Sequence, residues 1–302
     1  MVSDDLSNRP RILVTGASGQ LGHYILRCLE SLGKKVCGWS QKSTGTLYGT
    51  ELRCVDFTRA ESVVQALESA RPYVIIHAGA MSGADDVRKD PQRGHIINTE
   101  ATRLIANWAD AHEARLIYTS TDMVFDGSRP MWREEDKVCP ILAYGLSKAA
   151  AEPFVTSLKH GLVVRISLLF GPTLTGRPSF FTSTLNAIAV GESRTVFIDE
   201  WRTPVDYQTT AKLLCTLALD HAEITGILHL GGPERMTRYE LIRRAAHSAG
   251  LDTSLLLPVR ASDLVLPETR PRDLSLETRR LQSLLADVSW ACQWQSLTQF
   301  RP

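Results

Sequence analysis

The sequence predicts an α/β protein: a doubly wound parallel sheet with a smaller C-terminal lobe. Three observations predict it. Short apolar runs alternate with segments of helical period through the first half of the chain. A glycine-rich turn, Thr15-Gly16-Ala17-Ser18-Gly19-Gln20-Leu21-Gly22, joins the first run to the first helix. The fourth run, Tyr73-Val74-Ile75-Ile76-His77-Ala78, is apolar without alternation, as a strand covered on both faces requires.

Taken in order, residues 11–15 read as a buried strand. Residues 20–32 place Leu21, Ile25, Cys28, Leu29 and Leu32 on one helical face, and Gly33 is a natural cap at its end. Residues 35–39 and 52–55 are the second and third strands. Residues 60–69 form a helix with Val63, Val64 and Leu67 facing inward. After the fourth strand comes a long helix, about 95–112, carrying Leu104, Ile105 and Trp108, and then a strand at 116–119. A helix starts near Ala143; Pro153 inside it is expected to kink or end it. Residues 162–166 are a strand again. Such alternation implies right-handed crossovers. The second half is less regular. Residues 171–178 read as loop, 195–198 as strand-like, and 227–230 as one more sheet strand. Residues 238–249 form an amphipathic helix opened by Thr237, with Glu240 completing a capping box. The expected division is a nucleotide-binding domain, residues 10–171 plus about 201–231, and a substrate lobe, about 172–200 and 232–302.

Composition excludes several classes. Of 302 residues, 43% are hydrophobic and 22% charged, which is ordinary for a globular chain. A formal net charge of +1 argues against a nucleic-acid surface. No apolar run approaches the ~20 residues that span a bilayer, and residues 1–10 lack the basic start and apolar core of a signal peptide. Six scattered cysteines show no C-x-x-C spacing. Reduced thiols in a cytoplasmic protein are therefore expected, with no metal site.

The glycine-rich turn carries the first piece of chemistry. Gly16, Gly19 and Gly22 permit a tight turn, close approach of backbone to a pyrophosphate, and close helix–sheet packing. The helix start then offers free N–H groups to phosphate. Gly16, Ser18, Gly19, Gln20 and Leu21 are the candidate contacts of this Rossmann-type loop. Further candidates lie after the following strands: Ser40 and Lys42, Asp56 and Phe57, and His77, Ala78 and Gly79. The segment Gly38-Trp39-Ser40-Gln41-Lys42 has no carboxylate for a ribose 2′-hydroxyl, whereas Ser40 and Lys42 suit a 2′-phosphate. NADP (NADPH) is therefore the expected cofactor, with NAD as the alternative. His77 reads equally as a backbone-positioning group near the cofactor or as a satisfied core histidine.

Tyr144 and Lys148 are four residues apart, one helical turn on one face. A neighbouring ammonium and a helix start both favour phenolate and are expected to lower the Tyr144 pKa. The pair can protonate a carbonyl oxygen as hydride arrives. Ser120 and Thr121, at the carboxyl end of a strand, can bond the same oxygen. Asn98, on the preceding long helix, is expected to organise water or backbone near Lys148.

Together, T-G-A-S-G-Q-L-G, S-T-D-M-V-F-D-G at 120–127, Y-G-L-S-K, and R-P-R-D-L-S-L-E-T-R-R-L at 270–281 resemble the dTDP-4-dehydrorhamnose reductase family of short-chain dehydrogenases/reductases. The resemblance implies reduction of the 4-keto group of a nucleotide-linked deoxy sugar. Thr121 matches the family's catalytic hydroxyl, Tyr144 its general acid, and Lys148 its ribose-binding lysine. It also implies a nucleotide-sugar substrate and, since the family often forms dimers, a homodimer. Ser120, Thr121 and Asp122 are candidate substrate contacts. Arg202 and Arg270 are candidates for the diphosphate, and Phe180 or Phe181 for the base. Met123 stands where the family usually has Tyr. Asp85 is retained near the fourth strand, but Arg88 replaces an acid. The chain is also similar to the NADP-binding regulatory β subunit of methionine adenosyltransferase, through Phe125-Asp126-Gly127, 133–136 and 236–240. That leaves a regulatory subunit, or a sugar-nucleotide epimerase or dehydratase, as alternatives.

Overall fold

The computed structural model describes residues 12–286; Arg11, Cys292 and the end of the expected lobe lie outside them. In chain order the elements are β1 (Ile12–Thr15), α1 (Gln20–Ser31), β2 (Val36–Ser40), β3 (Gly45–Leu47), β4 (Thr50–Cys54), α2 (Ala60–Ala70) and β5 (Val74–His77). Then follow α3 (Ala84–Lys89), α4 (Pro91–His95), a π-helical turn (Ile96–Glu100), α5 (Ala101–Ala111), β6 (Arg115–Thr121), α6 (Ala143–Thr156), β7 (Gly161–Ile166) and β8 (Leu169–Phe170). The remainder is α7 (Phe180–Ala189), β9 (Arg194–Phe197), β10 (Trp201–Arg202), β11 (Val205–Asp206), α8 (Tyr207–Leu219), β12 (Gly226–Leu230), β13 (Met236–Thr237), α9 (Arg238–Ser248), β14 (Leu256–Val259) and α10 (Arg279–Leu284). None of the described helices is long and apolar enough to cross a membrane.

The described residues form two compact units, one of 12–119, 147–163 and 211–227, the other of 120–146, 164–210 and 228–286. The eight-stranded sheet has the order β12-β7-β6-β5-β1-β2-β4-β3. β1 runs parallel to β2 and β5, β2 to β4, and β5 to β6. Strand order reverses direction at β1, so a ligand crevice is expected beyond the carboxyl ends of β1 and β5.

In the first unit, Leu13, Ile75, Leu116 and Val163 from the strands pack with Leu67 and Ile105 from the helices. All four residues of β1 are buried, which explains its unbroken apolar run. The expected face of α1 is shifted. The helix ends at Ser31, so Leu32 becomes its cap and is exposed, while Leu26 turns inward. In α2, Val64 is likewise exposed and Ala66 and Ala70 are buried in its place. β4 matches the expected third strand, while β3, which forms an edge hairpin with it, escaped the sequence reading. The hairpin turn places Tyr48 and Gly49 at φ of 47° and 67°, the left-handed pair that two-residue hairpins need.

Pro153 does not end α6, which continues to Thr156. The proline sits in the last turn, so the missing N–H costs one bond near an end that frays anyway.

The second unit is built on α7 and α9, with Phe170, Phe181, Leu185, Val196, Leu241 and Ile242 in its core. β9 and β14 pair in parallel, and β10 pairs antiparallel with β13. Both helices start with reciprocal caps: Ser179 with Thr182, and Thr237 with Glu240 as the sequence predicted.

Candidate active site

The turn after β1 is shaped by what a side chain would strike. A Cβ at Gly16, whose φ is +68°, would lie 2.7 Å from the Ala78 carbonyl oxygen; one at Gly22 would lie 2.2 Å from that of Gly16. At Gly79 it would meet Phe57 at 2.8 Å. No side chain caps the start of α1, and its first turn has no acid. A helix start left this way, behind a backbone cradle of glycines, fits a dinucleotide pyrophosphate. Ser18 and Gln20 flank this cradle. The Ser40 hydroxyl is engaged in a turn, accepting from the Ser43 amide at 2.8 Å. Lys42 is exposed beside it. Asp56 Oδ1 accepts from the Thr58 amide at 2.9 Å, and Phe57 packs edge-on against Trp39.

Behind the cradle, buried hydrogen bonds run in one direction. The Gly79 amide donates to Thr15 Oγ1 at 3.0 Å, and Thr15 Oγ1 lies 2.6 Å from His77 Nδ1. His77 Nε2 lies 2.9 Å from Thr102 Oγ1, which donates to the Asn98 carbonyl at 2.7 Å. Because Thr102 spends its proton on Asn98, His77 must donate from Nε2, and Thr15 must donate to Nδ1. His77 is thus a neutral core histidine, and burial holds its pKa down to about 3. The Asn98 side chain continues the chain. It donates to Ser147 Oγ at 2.9 Å and exchanges bonds with the Met81 amide and carbonyl at 2.8 and 3.1 Å. Asn98 therefore organises backbone, and ties it to the residue before Lys148. Asn98 lies in the π-helical turn and is buried there.

Lys148 and Tyr144 share one face of α6. Lys148 is buried, with Nζ 4.2 Å from the centre of the Tyr118 ring. Loss of water lowers its pKa to about 7, against the charge of Glu152. The Tyr144 phenol moves up, not down as the sequence suggested, because of burial first and the Asp122 charge second. The expected ammonium beside it is itself weakened by desolvation, so it does not offset that cost.

In the second unit, β6 ends in Ser120 and Thr121, both buried. Thr121 Oγ1 accepts from the Met123 amide at 3.2 Å and donates to Asp122 Oδ1 at 3.3 Å. Asp122 Oδ2 receives Ser167 Oγ at 3.3 Å and lies 3.4 Å from Arg202 Nε. Burial raises the Asp122 carboxyl despite the positive charges of Arg202 and Arg238. Arg202 is 1% exposed and also donates to the Trp201 carbonyl. Glu200 pairs with both Arg238 and Arg270. Burial works to raise Glu200, but the hydrogen bond from Arg270 and the surrounding guanidinium charges outweigh it and hold the acid below the usual range. Arg202 and Arg270 are thus tied to carboxylates of this network. Phe181 is in the core, and Phe180 is exposed with Arg238 over its ring. Asp85 is paired with Arg88 at the surface.

The sequence missed the Thr15–His77–Thr102 chain and the Glu200–Arg238 pair. A polar side chain at the end of each of two apolar strands was the signal for the first. Nothing local marks the second, whose partners are 38 residues apart. Among the described residues no cluster could hold a metal ion, and five cysteines are free thiols.

The sequence profile of the RmlD substrate binding domain family matches residues 10–299. This chain belongs to that family. Within reach of the family is the dTDP-4-dehydrorhamnose reductase of Escherichia coli (strain K12), 30% identical over 293 residues and covering 92% of each chain. Methionine adenosyltransferase 2 subunit beta of Pongo abelii is 30% identical over 286 residues, covering 93% of this chain and 84% of that protein. The structure of dTDP-4-dehydrorhamnose reductase from Bacillus anthracis str. Ames, in complex with NADP, matches with a TM-score of 0.83 at 25% identity, covering 97% of this chain and 98% of that one. The Rossmann-like sheet is thus that of the RmlD-family reductases.

Proposed function

We propose that the chain is an NAD(P)H-dependent reductase of the 4-keto group of a nucleotide-linked deoxy sugar. The observation that carries this reading is Tyr144 and Lys148 on one face of α6, Tyr144 half-buried and Lys148 buried. A bound nicotinamide supplies hydride. Gly16, Ser18, Gly19, Gln20 and Leu21 would hold the pyrophosphate, with Ser40 and Lys42 near the adenosine ribose and Asp56, Phe57, Ala78 and Gly79 completing the cradle. The raised Tyr144 pKa keeps the phenol protonated at neutral pH, so it stands ready to give a proton to a carbonyl oxygen. Thr121 holds that oxygen. Lys148 holds the nicotinamide ribose. NADP is the preferred cofactor, a homodimer the assembly, and the cytoplasm the compartment.

The test is NADPH consumption with a dTDP-4-dehydro-6-deoxy-L-sugar. Tyr144→Phe should cut kcat by about 10²–10⁴-fold while leaving NADPH affinity nearly unchanged; unchanged turnover would overturn the role. A second reading rests on the equal identity to methionine adenosyltransferase 2 subunit beta. It makes the chain a binding subunit, recognised by NADPH binding without turnover and by a stable partner.

A further inference from the structure

The hydrogen-bond pattern around Thr121 leaves its hydroxyl with one free position, and a neighbour decides what that position offers. A threonine hydroxyl has one proton and two lone pairs. One lone pair takes the Met123 amide at 3.2 Å, and the proton goes to Asp122 Oδ1 at 3.3 Å. With Asp122 ionised, only a lone pair remains. Such a hydroxyl can accept from an alcohol but cannot donate to a ketone.

The other carboxylate oxygen shows where a proton on Asp122 would sit. Oδ2 already faces Arg202 Nε at 3.4 Å and receives Ser167 Oγ at 3.3 Å. The Arg202 guanidinium can only donate, so a proton on Oδ2 would face it donor to donor. A proton added to Asp122 therefore goes to Oδ1, facing Thr121. The Asp122 hydroxyl then donates to Thr121 Oγ1, and the Thr121 proton turns toward the remaining position.

We propose that Asp122 is a positioning residue that sets the polarity of Thr121 toward substrate. A protonated Asp122 makes Thr121 a donor to a carbonyl oxygen, and an ionised Asp122 makes it an acceptor for an alcohol. The inference rests on the reductase reading for the identity of those two ligands. No bond other than O–H changes, and the proton on Asp122 exchanges with solvent. The charged and titratable groups that face Asp122 are Arg202 from β10, Arg238 from α9 and Tyr144 from α6. Burial opposes the two guanidinium groups and prevails, which brings the protonated form within reach.

Keto substrate and alcohol product should then respond to pH in opposite directions. As pH rises through the Asp122 titration, KM for the keto-sugar nucleotide should rise about tenfold, while the inhibition constant of the corresponding alcohol falls. A purely structural aspartate would move both the same way or neither. In Asp122→Asn the side-chain amide donates to Thr121 at every pH, so both slopes should vanish. Thr121→Ser keeps the slopes and Thr121→Val removes them, without touching the Arg202 contact should the Asn variant fold poorly.

A measurement without substrate separates this inference from the functional reading. In pH-difference infrared spectra, the protonated-carboxyl band absent from Asp122→Asn reports Asp122. Thr121→Val removes a donor to the carboxylate and should shift that band's titration to higher pH. An unshifted titration, or parallel slopes for ketone and alcohol, overturns the proposal. Lack of turnover by the wild-type protein, with the infrared shift present, overturns the reductase reading and leaves the Asp122–Thr121 coupling standing.

Discussion

In the first unit the polar groups around β1 and β5 are neutral: Thr15, His77, Thr102 and Asn98 pass hydrogen bonds along one line. In the second unit the ionisable side chains of Asp122, Glu200, Arg202 and Arg238 are buried together. The two arrangements fix side chains by different physics. A neutral chain needs little desolvation, and specifies geometry by bond direction alone. Buried charges cost far more to strip of water, and are stable only while every one keeps a partner. The neutral line lies behind the turn that would carry a cofactor, where glycines already settle the shape. The charged network surrounds the strand end that would meet a sugar nucleotide.

The difference predicts unequal responses to removing one partner. The largest effect should follow Glu200→Gln, which strands Arg238 in the interior. Urea unfolding should show a loss of about 3 kcal/mol, the scale of breaking a buried ion pair. A loss no larger than that of a neutral partner would break the comparison.

Lys148 is a buried cation of the first unit, and it should make stability depend on pH. Its folded pKa, about 7, lies below the usual 10.5. Between these values the unfolded chain binds a proton that the folded chain releases, so stability should rise with pH across that window. Below about 7 both states hold the proton, and the rise should be absent. Lys148→Met should flatten the curve, which paired denaturation series at pH 7 and pH 10 would reveal. A curve as steep as that of the wild type would show that Lys148 keeps its water.

Thr15→Val tests the neutral line. It leaves the Gly79 amide and His77 Nδ1 without their partner, at a cost of about 1–3 kcal/mol. The smallest effect should be at the surface of the second unit. Ser179→Ala removes the cap of α7 and should cost about 1 kcal/mol, seen as a modest fall in Tm.

Much of the first unit was legible because its signals are local. The run Ile12-Leu13-Val14 needs no distant information to be read as a covered strand, and Gly16, Gly19 and Gly22 announce a turn that only small residues can make. The spacing of Tyr144 and Lys148 likewise survives translation into structure, since a helix converts four residues into one turn. Their acidities did not. Adjacency in sequence suggested that an ammonium would lower the phenol; desolvation instead raises the phenol and weakens the ammonium. Arg202 shows the same limit. Exposed on a loop, a guanidinium would be ready for phosphate, but here Asp122 and the Trp201 carbonyl hold it inside. Side-chain partners far apart in the chain, such as Glu200 and Arg238, depend on the packing of the second unit, which no local pattern encodes.

His77 has a further consequence for observing the molecule. Its ring proton is donated to Thr102, sealed from solvent on every side. Such a proton should exchange slowly and resonate in proton NMR outside the crowded amide region. It would be a native spectroscopic reporter, wired through Thr15 to the glycine turn and through Thr102 and Asn98 to α6, and its line position would register a disturbance at either end with no label attached.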